Sequence, residues 1–197
     1  MGKLYFKYGT MGSSKSAQAL MVKFNYEQKG FKVLLLKPNF DTRDKEDDKI
    51  VVKSRIGLSS ECITFSREDN LIDLIEKNRH RQTNFVIIVD ECQFCSSLQI
   101  EQLQVVSRSY PVLCYGLLTN FKTELFEGSK RLVEIADSLS EIKSVCKCGK
   151  KANVNARFLN GRLTLTGDEI MIGGNESYES LCFSCYEKLK RSLVTEK

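Results

Sequence analysis

A chain of 197 residues with 42% apolar and 28% charged side chains has the composition of a soluble globular protein, long enough for one ordinary domain and an appendage. The net charge of +5 comes from basic residues interleaved with acids, which suits an anionic small molecule and offers no basic stripe for nucleic acid. No run is long and apolar enough to span a bilayer, so no membrane partner is expected, and the chain opens directly on a strand, so no secretory leader is expected. Phe6 stands where N-myristoylation wants Ser or Thr. The expected location is cytoplasmic, where eight cysteines point to metal rather than disulfides.

In chain order, Lys3–Tyr8 predicts a strand, Lys15–Gln28 a helix ended near Gly30, and Lys32–Lys37 a strand ended by Pro38. A polar loop over 41–49 follows, then short strands at Ile50–Lys53 and Cys62–Phe65. Asp69–Asn78 predicts a helix burying Leu71, Leu74 and Ile75. The single histidine, His80, falls in a basic run that reads as a solvated helix end. The unbroken apolar, β-branched run Phe85–Val89 predicts a buried parallel strand. Ser97–Ser107 predicts a helix with Leu98, Leu103 and Val106 inward, and Pro111–Leu117 another buried strand. Strands alternating with helices imply an α/β fold with a mostly parallel sheet and helices on both faces. From about Cys146 the composition turns to Gly, Asn and paired cysteines, so a main domain over 1–140 and a smaller one over 141–197 are expected.

Chemistry concentrates at strand ends, where ligands of such sheets sit. Gly9-Thr10-Met11-Gly12-Ser13-Ser14-Lys15-Ser16 follows the first strand and opens the first helix, as a phosphate-binding P-loop does. Backbone N–H groups would cradle a triphosphate, Lys15 would reach its outer phosphates, and the Ser16 hydroxyl would sit on Mg²⁺. Ser14 occupies the second glycine position of the pattern. An ordinary strand–turn–helix corner is the plainer alternative. Asp90 ends the Phe85–Val89 strand, where an acid holds Mg²⁺ in P-loop proteins or, more simply, caps a helix. With His80 misplaced, a general base must be a carboxylate, Cys or Tyr, and Glu91 is the candidate. The same Asp-Glu-x-Gln pattern occurs in helicases, but those need two ATPase domains. Cys146, Cys148, Cys182 and Cys185 form two short-spaced pairs that suit a closed, structural Cys₄ zinc site. Cys92 and Cys95 also form a C-x-x-C but flank Asp90, so packing is the reading there, as for Cys62 and Cys114.

Together the P-loop, Asp41-Thr42-Arg43, Asp90-Glu91-Cys92-Gln93-Phe94, Tyr115-Gly116-Leu117 and Ile172-Gly173-Gly174-Asn175-Glu176-Ser177-Tyr178 make the chain resemble the type II, zinc-containing thymidine kinases along nearly its whole length. The resemblance implies a P-loop (RecA-like) domain followed by a zinc-tethered lasso that closes on the nucleoside. It implies transfer of phosphate from ATP to the thymidine 5′-hydroxyl, with Glu91 as base and Arg43 facing the transferred group. Gly9 to Ser16, Asp90 and Gln93 would hold Mg-ATP. Met11, Phe94, Leu117, Phe121, Phe126 and Tyr178 would surround the nucleoside, and Ile170, Met171, Ile172, Gly173 and Gly174 would meet the pyrimidine edge through the main chain. Family membership further implies a homotetramer, thymidine and deoxyuridine as acceptors, and inhibition by dTTP. Two alternatives remain at this stage. One is a zinc-ribbon nucleic-acid-binding protein with a degenerate P-loop, supported only by the lysines and arginine around the cysteines. The other is a kinase for a different nucleoside.

Overall fold

Each central strand of this protein divides its side chains between two separate apolar layers. The computed structural model describes residues 2–39, 45–46, 49–79, 83–167 and 176–195. Along the chain run β1 (Leu4–Tyr8), α1 (Lys15–Glu27), β2 (Lys32–Pro38), β3 (Lys45–Glu46), β4 (Lys49–Lys53), β5 (Ser59–Glu61), β6 (Ile63–Phe65), α2 (Leu71–Arg79) and β7 (Phe85–Val89). A short 3₁₀ turn (Cys92–Phe94) leads to α3 (Ser97–Ser107), β8 (Val112–Gly116), α4 (Glu127–Ile135), β9 (Ser138–Glu141), β10 (Val154–Leu159), β11 (Arg162–Thr164), β12 (Glu176–Leu181) and α5 (Phe183–Thr195).

Six strands form one sheet in the order β6-β2-β7-β8-β1-β9. Every pairing in it is parallel. The period of two decides which layer each residue joins. Leu4, Phe6, Leu34, Leu36, Ile87, Val89 and Val112 pack with Leu71 and Ile75 of α2, Ile100 and Leu103 of α3, and Leu132 of α4. Their neighbours Leu35, Val86, Ile88, Leu113 and Tyr115 pack with Ala19 and Leu20 of α1 and with Val52 of β4. The parallel α/β sheet with helices on both faces is therefore as expected. Among the described residues no helix is long and apolar enough to cross a membrane.

One expectation for α3 is corrected. Leu98 is 63% exposed, and Ile100 takes the inward place beside Leu103 and Val106. A capping box between Ser96 and Gln99 fixes where the helix starts. At about 100° per residue Leu98 then lies roughly 140° around the helix from Leu103. Beyond β9 the chain builds a different kind of unit. β10 pairs antiparallel with β11 and β12, and Val154, Ala156, Leu163, Leu181 and Tyr186 pack with Cys146 and Cys182. His80 lies outside the described residues.

Candidate active site

The loop after β1 is shaped by close approach. A Cβ on Gly9 would sit 2.4 Å from both the Ile142 carbonyl and Ser13 Oγ, so only glycine fits there. Gly12 (φ 73°) and Ser14 (φ 63°) both adopt left-handed backbone, which turns successive N–H groups toward the centre of the loop. Ser14 thus holds the conformation that the missing glycine would take freely, at a cost of about 1 kcal/mol. Lys15 begins α1 and is buried, and its Nζ donates to the Thr10 carbonyl at 2.9 Å. Burial pulls the ammonium below its ordinary range, while Glu91 and Asp90 pull it back up.

Across β8, the end of β7 brings the acids to the loop. Asp90 is buried, and its Oδ1 has no hydrogen-bond partner. Burial, reinforced by the neighbouring Glu91 charge, pushes its carboxyl up to about 7, against a hydrogen bond from Ser16 that favours the charged form. A buried carboxylate oxygen without a partner, beside the first hydroxyl of the loop helix, fits a hard cation with oxygen ligands. Glu91 has left-handed backbone (φ 54°), an uncommon state for a non-glycine residue. Beneath it Gln93 is buried, and the Leu117 N–H donates to Gln93 Oε1 at 3.0 Å. That bond leaves the amide Nε2 to donate to Glu91 Oε2 at 2.6 Å. Gln93 therefore holds Glu91, and Gly116 leaves room for it, since a Cβ there would lie 2.6 Å from Gln93 Oε1.

A cleft of about 290 Å³ opens over these groups, and Met11, Gly12, Lys15, Ser16, Glu91 and Leu117 line it. The opposite wall is the β4–β5 turn, with Lys53, Ser54, Arg55 and Ile56. That turn falls between the two short strands expected at Ile50–Lys53 and Cys62–Phe65, where the sequence carried no site expectation. Its only signal was Ser54 and Gly57 bracketing Arg55 and Ile56 in a turn-like spacing.

Of the candidates for the nucleoside pocket, Met11 and Leu117 line the cleft, and the aromatic ones fall outside its described lining. Phe94 and Phe126 meet edge-to-face at 5.7 Å. Leu117 and Phe121 are buried, and the Arg157 guanidinium stacks 4.7 Å from the Phe121 ring centre. Arg157 pairs across the strands with half-buried Tyr178. Met11 ties this region to the phosphate loop. Its N–H donates to Asn155 Oδ1 at 2.8 Å, and its carbonyl accepts from the Ser180 hydroxyl. Asn155 Nδ2 in turn donates to the Thr119 carbonyl at 2.9 Å. Asn155, Arg157 and Ser180 carried no motif, and only the pairing of β10 with β12 brings them here. Arg43 and Ile170 to Gly174 lie outside the described residues.

Cys146, Cys148, Cys182 and Cys185 converge, with every Sγ within 4.8 Å of the others. A tetrahedron of Zn–S bonds near 2.3 Å places sulfurs about 3.8 Å apart, so the donor set fits zinc. The Cys148 and Cys182 sulfurs are 3.5 Å apart. Backbone N–H groups of Cys148 and Cys182 bring the Cys146 thiol down to about 6, while shared thiol protons from Cys148 and Cys182 push Cys185 up to about 12. Four thiolates this close need a dication to coexist. The C-x-C spacing works because Gly149 (φ 83°) reverses the chain and donates to the Cys146 carbonyl at 2.8 Å. Cys92 and Cys95 are fully buried in the main core, and burial raises both thiols well above the ordinary range.

A P-loop joined to β1 of a parallel sheet, with an acid pair one strand away, defines a nucleotide-using P-loop protein of the α/β class. A four-cysteine module appended to it narrows the class further. The thymidine kinase family model matches residues 2–186. A thymidine kinase of Zymomonas mobilis is 45% identical over 185 residues, covering 92% of this chain and 94% of that protein. Those of Shewanella oneidensis (42%; 92% of this chain, 95% of the relative) and Photorhabdus laumondii (41%; 94% and 92%) are similar over the same extent. The chain belongs to the thymidine kinase family, and it is an enzyme of the phosphotransferase class.

Proposed function

We propose that this protein transfers the γ-phosphoryl group of ATP to the 5′-hydroxyl of thymidine, giving dTMP and ADP. The observation that carries the reading is Glu91, fixed by Gln93 and facing the same cleft as Lys15. Glu91 takes the 5′-hydroxyl proton as the oxygen attacks phosphorus. The P–O bond to the β-phosphate breaks, and ADP leaves with the electron pair. Loop N–H groups from Gly9 to Ser16 and the Lys15 ammonium hold the phosphates in line. Asp90 and Ser16 would hold Mg²⁺, which supplies charge neutralisation on the β- and γ-oxygens. Gln93 orients the base and is proposed, with Asp90, to complete the nucleotide site. Arg43 is proposed to face the transferred group, and Ile170 to Gly174 to meet the pyrimidine edge. Met11, Phe94, Leu117, Phe121, Phe126 and Tyr178 are proposed to enclose the nucleoside, Tyr178 from a lasso unit that spans 141–197 and is tied by zinc.

Deoxyuridine, lacking only the 5-methyl group, is proposed as a second acceptor. dTTP is the proposed inhibitor, because it joins the nucleoside to a chain of phosphates. Met21 and Phe24 are 55% and 59% exposed and one turn apart on α1, which supports self-association to a homotetramer. The deciding experiment is Glu91→Gln. Turnover is expected to fall by about two to four orders of magnitude, with ATP and thymidine dissociation constants within a few-fold of the parent. Near-normal turnover in that variant would remove Glu91 as the base.

A further inference from the structure

Proton transfer to Glu91 and metal binding at Asp90 leave a charge problem in the cleft. Among the described residues that line the cleft, the only buried cation is Lys15, already bonded to the Thr10 carbonyl and facing two acids. A terminal phosphate leaving the loop toward Glu91 would therefore approach a carboxylate, and a cation on its far side would add to the proposed Mg²⁺ and Arg43 in offsetting that charge. The β4–β5 hairpin stands on that side. β4 is anchored by Val51 and Val52, both buried, with Val52 packed in the α1 layer. The tip is closed by Ser54, whose N–H donates to the Leu58 carbonyl at 2.8 Å while its Oγ accepts from the Leu58 N–H at 2.9 Å. Arg55 sits at this tip, exposed, and no carboxylate pairs with it among the described residues. Its Nη1 lies 3.7 Å from where a side chain on Gly12 would begin, on the side of the cleft that faces the apex of the phosphate loop.

We propose that Arg55 is a ligand of the terminal phosphate, distinguishing a bound nucleoside triphosphate from the diphosphate and stabilising the transferred group. The proposal rests on the nucleotide reading of the loop. The guanidinium matches two equatorial oxygens of the γ-phosphoryl group and stays protonated throughout, neither giving nor taking a proton. A pre-built hairpin makes the placement repeatable, because only the side chain must move to meet the phosphate. Lysine at this position would supply charge without the two-pronged geometry.

The test is equilibrium binding of Mg-ATP and of Mg-ADP, without thymidine, to the parent, Arg55→Ala and Arg55→Lys, together with turnover. Arg55→Ala is expected to weaken ATP at least tenfold and ADP less than threefold, and to lower kcat by about 100-fold or more. Arg55→Lys should recover most of the ATP affinity and little of kcat. Equal losses for ATP and ADP, or no loss for either, would overturn the proposal, as would full kcat in the alanine variant. If the parent itself binds neither nucleotide, the underlying nucleotide reading fails instead. The alanine replacement is at an exposed turn position, so thermal stability should stay near that of the parent. If it does not, the lysine variant alone must show the split between ATP binding and kcat, and its absence there counts equally against the proposal.

Discussion

The two regions that meet at Met11 are held together by opposite means. The phosphate loop and its acids stand on the carboxyl edge of a parallel sheet with an apolar layer on each face. The antiparallel unit that grips Met11 through Asn155 and Ser180 has one small apolar cluster and a knot of four thiols. A sheet buried on both faces can position charge without a metal, whereas a unit with so few apolar side chains needs a staple to define its shape. On the proposed reading, phosphate chemistry belongs to the rigid region, and the stapled one adds Tyr178 to a nucleoside pocket whose other walls, Met11, Phe94, Leu117, Phe121 and Phe126, come from the first.

The sharpest way to break the first region is at its charges. Lys15→Ala and Asp90→Asn are each expected to lower kcat by at least about three orders of magnitude, one by loss of phosphate charge and the other by loss of the metal ligand. Asp90→Asn should also stabilise the metal-free protein. The folded state holds the Asp90 proton up to about pH 7, while an ordinary aspartate releases it near 3.8. Metal-free stability should therefore fall as pH rises between those values, and the asparagine variant should remove that slope. Urea titrations at pH 4, 6 and 8 without Mg²⁺ check this. Equal slopes for variant and parent would sink the assignment.

The second region breaks through its metal. One zinc per chain is expected by elemental analysis. Chelation or Cys182→Ala should loosen the antiparallel unit before the main sheet, giving two thermal transitions in place of one. Thymidine affinity should collapse, while ATP affinity stays within a few-fold. Protein purified without chelator yet free of zinc, or zinc lost from Cys92→Ser/Cys95→Ser but kept in Cys182→Ala, would refute the site.

A finer probe addresses how the two regions are joined. The Tyr186 hydroxyl, next to Cys185, donates to the Phe121 carbonyl at 3.3 Å. Tyr186→Phe should cost about 1 kcal/mol, read as a several-fold loss of thymidine affinity with ATP affinity unchanged. Loss of ATP affinity instead would show that the bond supports the whole fold. The smallest effect belongs to Ser14→Gly. It relieves left-handed strain, so stability should rise by about 0.5–1 kcal/mol and ATP binding should hold or tighten. A collapse of ATP binding there would mean that the serine hydroxyl contacts the nucleotide.

How much was legible in the sequence follows from how local the physics is. The run Phe85–Val89 and the octet Gly9–Ser16 announced strand and loop because burial on both faces and phosphate cradling each impose a residue pattern on adjacent positions. Paired cysteines announced through their spacing the cluster of four thiols that the fold brings together. Periodicity misplaced Leu98 because the capping box at Ser96, rather than the apolar pattern, sets the phase of α3. The roles of Gln93, Asn155, Tyr186 and Arg55 were beyond reach for a different reason. Each is a single polar residue whose partner lies far along the chain or across a turn. Leu117 fixes Gln93, Met11 and Thr119 fix Asn155, Phe121 meets Tyr186, and the loop at Gly12 faces Arg55. The sequence by itself determined the sheet, the phosphate-loop pattern and the two cysteine pairs, because each depends on neighbours in the chain. Only the tertiary structure decided which polar groups orient Glu91, join the stapled unit to the phosphate loop and bring Arg55 over it, because those depend on strand order and register.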